Sequence, residues 1–243
     1  GGHHYRMLFV LGTLLFVGAA GHALFVVPST NPTIRGLKFS LPGLTATVGL
    51  GSSLAAGLAG WLQLPLRQLT SIHLGWGLVG WGVMLLATVA FVVVPMFQIT
   101  PPYPAWFARS FAWSLLTLLC CWSFAAGWQW PGDVLLAGAA VLHVLAFAVL
   151  TLHVQRRSKR ASFDATQRLW RVAMLCTLAA CLLWYAGLAV PVQDDRLEWL
   201  CGVLTLLGGF MSVTIGMLYK IVPFLVWLHL QNLGGGRVLA PSM

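Results

Sequence analysis

Charge is what this chain has least of. Charged residues are 8% of its 243 residues, against roughly 25% in a soluble domain, which excludes an ordinary soluble fold. Only five residues are acidic. The five cysteines contain no CxxC pair, which argues against a disulfide scaffold, a thiolate metal site and a c-type haem attachment. There is no HExxH zinc motif. The apolar runs show no period-2 alternation, which excludes a membrane β-barrel. The start, "GGHHYRML", has neither a basic n-region nor a small-residue cleavage site, so it is not a signal peptide.

What is present is long hydrophobic sequence. Uncharged runs cover 7–34, 39–66, 68–108, 110–132, 134–155, 172–193 and 199–219. A spanning helix needs about 20 apolar residues, and a helix satisfies its own backbone hydrogen bonds in lipid. The expected fold class is therefore all-α, a polytopic membrane helix bundle with about seven transmembrane helices. A single transmembrane domain would occupy residues 1–243. The expected spans are 7–27, 44–64, 71–95, 106–128, 132–153, 169–190 and 198–221. The run 68–108 would be about 60 Å long as one helix, so Pro95 and "TPPYP" (100–104) are expected to end it. Lys220 and Pro223 are expected to mark the exit of the last helix.

Basic residues set an orientation. Arg35, Lys38, Arg109, Arg156, Arg157, Lys159, Arg160, Arg168, Arg171, Lys220 and Arg237 fall on one side, and Arg6, Arg67 and Arg196 on the other. The richer side is assigned to the cytoplasm. The expectation is a bacterial inner-membrane protein with residue 1 outside and the C-terminus inside. The net charge of +9 then reads as a topogenic signal and as contact with anionic lipid heads, so the bilayer is the first partner. No basic folded face suggests nucleic acid. An outward-facing start without Met reads as a fragment, the C-terminal part of a longer chain.

Two segments echo each other without gaps: "GWGVMLLATVAFVVVPMF" (80–97) and "GGFMSVTIGMLYKIVPFL" (208–225), 128 residues apart. Either the chain carries an internal repeat with an offset of four helices, or apolar helices ending in Val-Pro resemble one another by chance. His73 is not part of the echo, because Cys201 stands in its place.

Seven histidines are spread along the chain. His153 and His229 sit at helix ends and read as interfacial. His22 shares a face with Gly18 and Ala19, His73 with Gly77 and then Gly80, and His143 with Ala139, Ala140 and Ala146. Faces cleared in this way admit a neighbouring helix or a flat ligand. Counted at 1.5 Å per residue, His73 lies about 3 Å inside its span, His143 about 15 Å and His22 about 22 Å. Two sites follow. One is an outer metal site of His3, His4 and His73. The other is a central cofactor site of His22 and His143, with His73 a third cofactor-binding candidate. Neutral imidazole suits iron, copper and zinc, and haem iron takes an axial His. The competing reading makes each histidine a hydrogen-bonding group at a helix crossing. The cysteines read as small buried hydrophobes, and Lys220 as snorkelling to the inner face. Trp76 and Trp81 read as core packing or as the wall of a cofactor pocket.

"HLGWGLVGWG…VVPMFQITPPYP" and "GMLYKIVPFLVWLHLQ" resemble segments of bacterial membrane proteins distantly related to the haem-copper oxidase catalytic subunit, among them the nitric-oxide-response membrane proteins. The resemblance covers about a quarter of the chain. It implies a twelve-helix architecture in three arcs of four, and haem, copper or another transition metal as cofactor. The oxidase pattern of paired histidines is not reproduced, since the second helix has none and His143 and His153 stand ten residues apart. The function expected is haem or metal binding through intramembrane histidines, in a redox, gas-related or cofactor-handling role. The alternatives are a small-solute or metal transporter, and a structural subunit that associates with other membrane subunits.

Overall fold

The computed structural model describes residues 2–28, 32–160, 162, 164–189 and 196–234, with side chains from residue 11 to residue 232 of these, except Pro32. The described structure is all helical. The elements are α1 (Gly2–Val26), α2 (Pro32–Leu58), α3 (Leu66–Gly75), a π-helical segment π1 (Trp76–Val83), α4 (Met84–Gln98), α5 (Ala105–Gly127), α6 (Asp133–Arg156), α7 (Ala165–Ala189), α8 (Arg196–Val203), a second π segment π2 (Leu204–Met211) and α9 (Ser212–Gly234). α3, π1 and α4 are continuous, as are α8, π2 and α9. Six helices are long and apolar enough to cross a membrane, and α1 adds an apolar stretch over Leu11–Val26. Large hydrophobic side chains such as Phe16, Trp106, Leu135 and Leu182 are exposed, as a lipid-facing surface requires.

Four expected boundaries move. The second span is expected over 44–64 but the helix covers Pro32–Leu58. Arg35 and Lys38 displaced the expectation, yet a cation near a helix end can be satisfied locally. Lys38 Nζ donates to the Val27 carbonyl at 2.8 Å and lies 5.2 Å from the Phe25 ring centre. The chain then turns at Gly60 (φ +76°), a conformation that favours glycine. The next helix consequently starts at Leu66 rather than 71, which sets His73 about 10 Å from its beginning. Pro223 does not end the last helix, which continues to Gly234. A proline deletes one backbone hydrogen bond, and the apolar sequence beyond it sustains the helix. At Pro95 the helix runs three residues further, to Gln98, and the chain turns at Ile99, whose φ is +49°.

The contacts divide the chain into two compact units, Gly1–Val93 with Pro102–Val144, and Val94–Pro101 with Leu145–Met243. In the first unit, Met84, Ala87, Thr88, Ala90, Phe111 and Leu115 are fully buried. Phe91 packs edge-on against Tyr103, Phe107 and Phe111. In the second unit, Phe147, Ala148, Ala173 and Met174 are buried beside an unusual set of polar side chains.

One arrangement of helices occurs twice in the chain. π1 and π2 are both eight residues long and stand 128 residues apart. Pro95 and Pro223 both fall twelve residues after their π segment. The neighbouring helices correspond as well, with α7 positions 133 beyond those of α2. The His73 ring meets the Thr47 carbonyl, and the equivalent Cys201 Sγ meets the Ala180 carbonyl at 3.8 Å. A Cβ on Gly43 would collide with the Gly80 carbonyl, and a Cβ on the equivalent Gly208 would lie 2.6 Å from Cys176. Gly36 faces Thr88, and Leu169 faces Gly216, so the glycine has changed sides. The echo between 80–97 and 208–225 is therefore one strand of a repeated helix packing. Its other strand is visible in "NPTIRGLK" (31–38) against "DATQRLWR" (164–171).

Candidate functional site

His73 is half-buried on α3, with Nδ1 at 3.0 Å from the Thr47 carbonyl of α2. A carbonyl can only accept, so Nδ1 carries a proton and donates it in this hydrogen bond. The glycine that makes room for this ring is Gly51 on α2, where a Cβ would stand 3.0 Å from Cε1. Gly77 instead receives the Thr47 methyl, and Gly80 packs under Trp76 and Leu119. The histidine that opens the glycine-rich run thus fastens one helix to the next. The side chains of His3 and His4, its expected partners in an outer metal site, lie outside the described residues.

His143 occupies the middle of α6. Its Nε2 is 2.7 Å from Ser114 Oγ on α5, a hydrogen bond that either tautomer of the ring can make. Ser114 has one proton, and the carbonyls of Ser110 and Phe111 compete for it at 2.9 and 3.2 Å. His143 and Ser114 line an open groove of about 690 Å³, walled by Ser110, Trp113, Thr117, Leu118, Ala139 and Leu142. His22 is exposed and lies four residues from the end of α1. His143 lies thirteen residues from the end of α6. Among the described residues, no three His, Cys, Asp or Glu side chains come together as a metal site.

Trp76 is buried and donates Nε1–H to Ser123 Oγ at 2.8 Å, whereas Trp81 is exposed. Cys120 and Cys121 are exposed on α5, contrary to the expectation of burial. Lipid makes an outward face as apolar as the core, so hydrophobic character does not report which side a cysteine takes.

A polar cluster in the second unit was not anticipated. Lys220 does not snorkel into water. It is 6% exposed and pairs with Asp164 at 2.7 Å, and Arg160 pairs with the same carboxylate. The other Asp164 oxygen accepts the Gln167 backbone N–H at 2.8 Å, capping α7. Burial alone would raise the Asp164 carboxyl. The Lys220 and Gln167 hydrogen bonds, with the charges of Lys220 and Arg160, overcome this and hold it below its ordinary value. Nearby, Thr166 Oγ1 donates to the Gly216 carbonyl at 2.9 Å. Gln155 Nε2 donates to Gln98 Oε1 at 2.9 Å, and Ser158 donates to the Gln98 carbonyl at 2.6 Å. The sequence signal was Asp164, the one acid in a basic loop, with Lys220 on a helix face facing inward.

The chain matches no protein-family model, no curated protein and no solved structure.

Proposed function

We propose that this polytopic membrane protein binds a planar, metal-containing cofactor of the haem class in the α5–α6 groove, with His143 as its protein ligand. The observation that carries the reading is His143 itself, an imidazole in the middle of α6 that lines an open, largely apolar groove with its Nε2 beside Ser114. With the Ser114 hydroxyl donating to the Ser110 carbonyl, the Nε2 lone pair of the Nδ1-protonated ring would be free for a metal. Trp113, Leu118 and Leu142 offer apolar surface to a macrocycle, and Ala139 leaves room beside the ring. Haem would supply redox or gas-binding chemistry. The chain's part is to ligate, to orient and to exclude water. The resemblance to oxidase-related membrane proteins supports the same class. His22 and His73 are not needed as ligands in this reading, and copper at His73 with His3 and His4 is a separate proposal that rests on sequence alone.

The test is a haem titration of the detergent-purified chain, followed by visible absorption. A Soret band that shifts on binding is expected for the natural sequence. His143→Ala should lose most of it, whereas Ser114→Ala, which removes the competitor for Nε2, should keep or strengthen it. A preparation that binds no haem, or that binds it equally without His143, overturns the proposal. The duplicated packing favours a second reading, a small-solute transporter, because transporters are commonly built from internal repeats.

A further inference from the structure

The repeat provides an internal control for the polar residues of α7. The scaffold of α2, α3, π1 and α4 recurs in α7, α8, π2 and α9, yet one buried face differs. Gln167 and Trp170 correspond to Ile34 and Leu37. One copy forms with hydrocarbon at both positions, so packing does not demand an amide and an indole N–H in the other.

Both side chains are also unsatisfied. Gln167 is fully buried, and neither its Oε1 nor its Nε2 has a hydrogen-bond partner. Trp170 is 1% exposed, with Nε1–H unpaired. Buried polar atoms are almost always bonded to protein or to another molecule. Three residues apart on one helix, the two side chains share a face. That face meets α9. Cδ1 of Trp170, the carbon bonded to Nε1, lies 3.5 Å from where a Cβ on Gly216 would be. Thr166, next to Gln167, donates to the Gly216 carbonyl at 2.9 Å.

The open atoms restrict what can satisfy them. Gln167 Nε2 and Trp170 Nε1 can only donate, and Gln167 Oε1 can only accept. A metal cation offers nothing to the two donors, an anion without a hydroxyl offers nothing to the acceptor, and hydrocarbon serves neither. None of the three atoms carries a charge to offset one on a ligand. The Lys220 ammonium, one turn beyond Gly216, is already offset by Asp164 at 2.7 Å. Depth agrees with a hydrated ligand. The span of α7 begins at Ala165, so Gln167 is about 3 Å and Trp170 about 8 Å inside it. A polar molecule reaches that level from the adjoining aqueous phase without crossing the bilayer core. We propose that Gln167 and Trp170 form a binding site at the α7–α9 seam for a small uncharged molecule that both donates and accepts hydrogen bonds. Water has this chemistry, and so has a solute with hydroxyl or amide groups. The ligand accepts from the indole and amide N–H groups and donates to Gln167 Oε1. The site does not rest on the His143 groove or on any cofactor there.

Nuclear magnetic resonance of the full chain in perdeuterated detergent, with 15N-labelled tryptophan indoles, tests this. Trp170→Phe assigns the Trp170 signal among the twelve tryptophans. In the natural sequence that signal should show a rotating-frame cross-peak of dipolar sign to water, which assigns a water site. Glycerol and acetamide are the solute probes. A saturable shift of the Trp170 signal with either one assigns a solute site. Gln167→Ile, the residue of the other copy, should fold and lose the cross-peak and the shift. Its melting midpoint is a second readout. The midpoint should fall by a few degrees if the amide is occupied, and a rise, expected when an unsatisfied amide becomes hydrocarbon, overturns the proposal. Should Gln167→Ile fail to fold, Gln167→Met, closer in length, makes the same comparison. A Trp170 signal with neither a water cross-peak nor a saturable shift overturns the proposal, as does an unchanged response in the Gln167 variant.

Discussion

His73 and His143 look alike in sequence, each an imidazole among small residues inside an apolar run. Their partners differ. His73 donates a hydrogen bond to the Thr47 carbonyl, which already accepts within α2, so the bond it adds is worth about 1 kcal/mol. His73→Ala should destabilise the protein by about that much, and His73→Asn, which retains a donor, should recover most of the loss. Chemical denaturation in mixed micelles would measure both, and a large loss in the Asn variant would mean that the ring does more than donate. Asp164 makes a pH prediction. Its carboxyl is held below the ordinary value, so its contribution is present above about pH 4 and disappears as pH falls through the lowered pKa. Melting curves taken from neutral pH down to about pH 3 should show this loss. Asp164→Asn should flatten that acid-side fall and lower the midpoint at neutral pH, because Lys220 then stays buried without its counter-charge.

At the scale of elements, the informative feature is the exchange of bulk between copies. Thr88 fills the space that Gly36 vacates, while Leu169 covers Gly216. Gly36→Leu alone should overpack the α2–α4 contact and cost about 1–3 kcal/mol. Adding Thr88→Gly reproduces the other copy's pairing and should restore most of that. A double-mutant cycle measures the coupling; additive losses would remove the equivalence between the two contacts. Helix number and kind were legible in the sequence because a membrane span is written in one variable, the length of an apolar run. Boundaries were less legible. Arg35 and Lys38 look like helix ends, but one finds a carbonyl and a ring within reach. The π segments were not legible, since nothing in "WGLVGWGV" or "LTLLGGFM" distinguishes an i→i+5 turn from an α turn. The matching Gly80 and Gly208 marked their place without revealing their form.

For the whole molecule, the basic residues make the orientation prediction. Single cysteines placed in 156–160 should react with an impermeant thiol reagent only from the cytoplasmic side, and cysteines in 192–195 only from the other. The reverse pattern would invert every depth inferred for the histidines. The candidate site was partly legible. His143 stood out as an ionisable residue deep in a span, but Ser114 did not, because a serine in an apolar helix is usually satisfied by its own backbone. The Lys220–Asp164 pair was hidden by sequence distance, and only helix packing brings its members together.

The side-swapped glycine has a consequence for assembly. A chain that inserts two near-copies of one helix pair into the same bilayer risks joining halves from different copies. Here the crossed combinations fit poorly. α2 against α9 would set Gly36 opposite Gly216 and leave a void, and α7 against α4 would press Leu169 onto Thr88. Each helix is therefore keyed to its own mate by a rejected alternative as well as by a favourable contact. The pairing error to which duplication exposes a membrane protein is penalised at one position per pair.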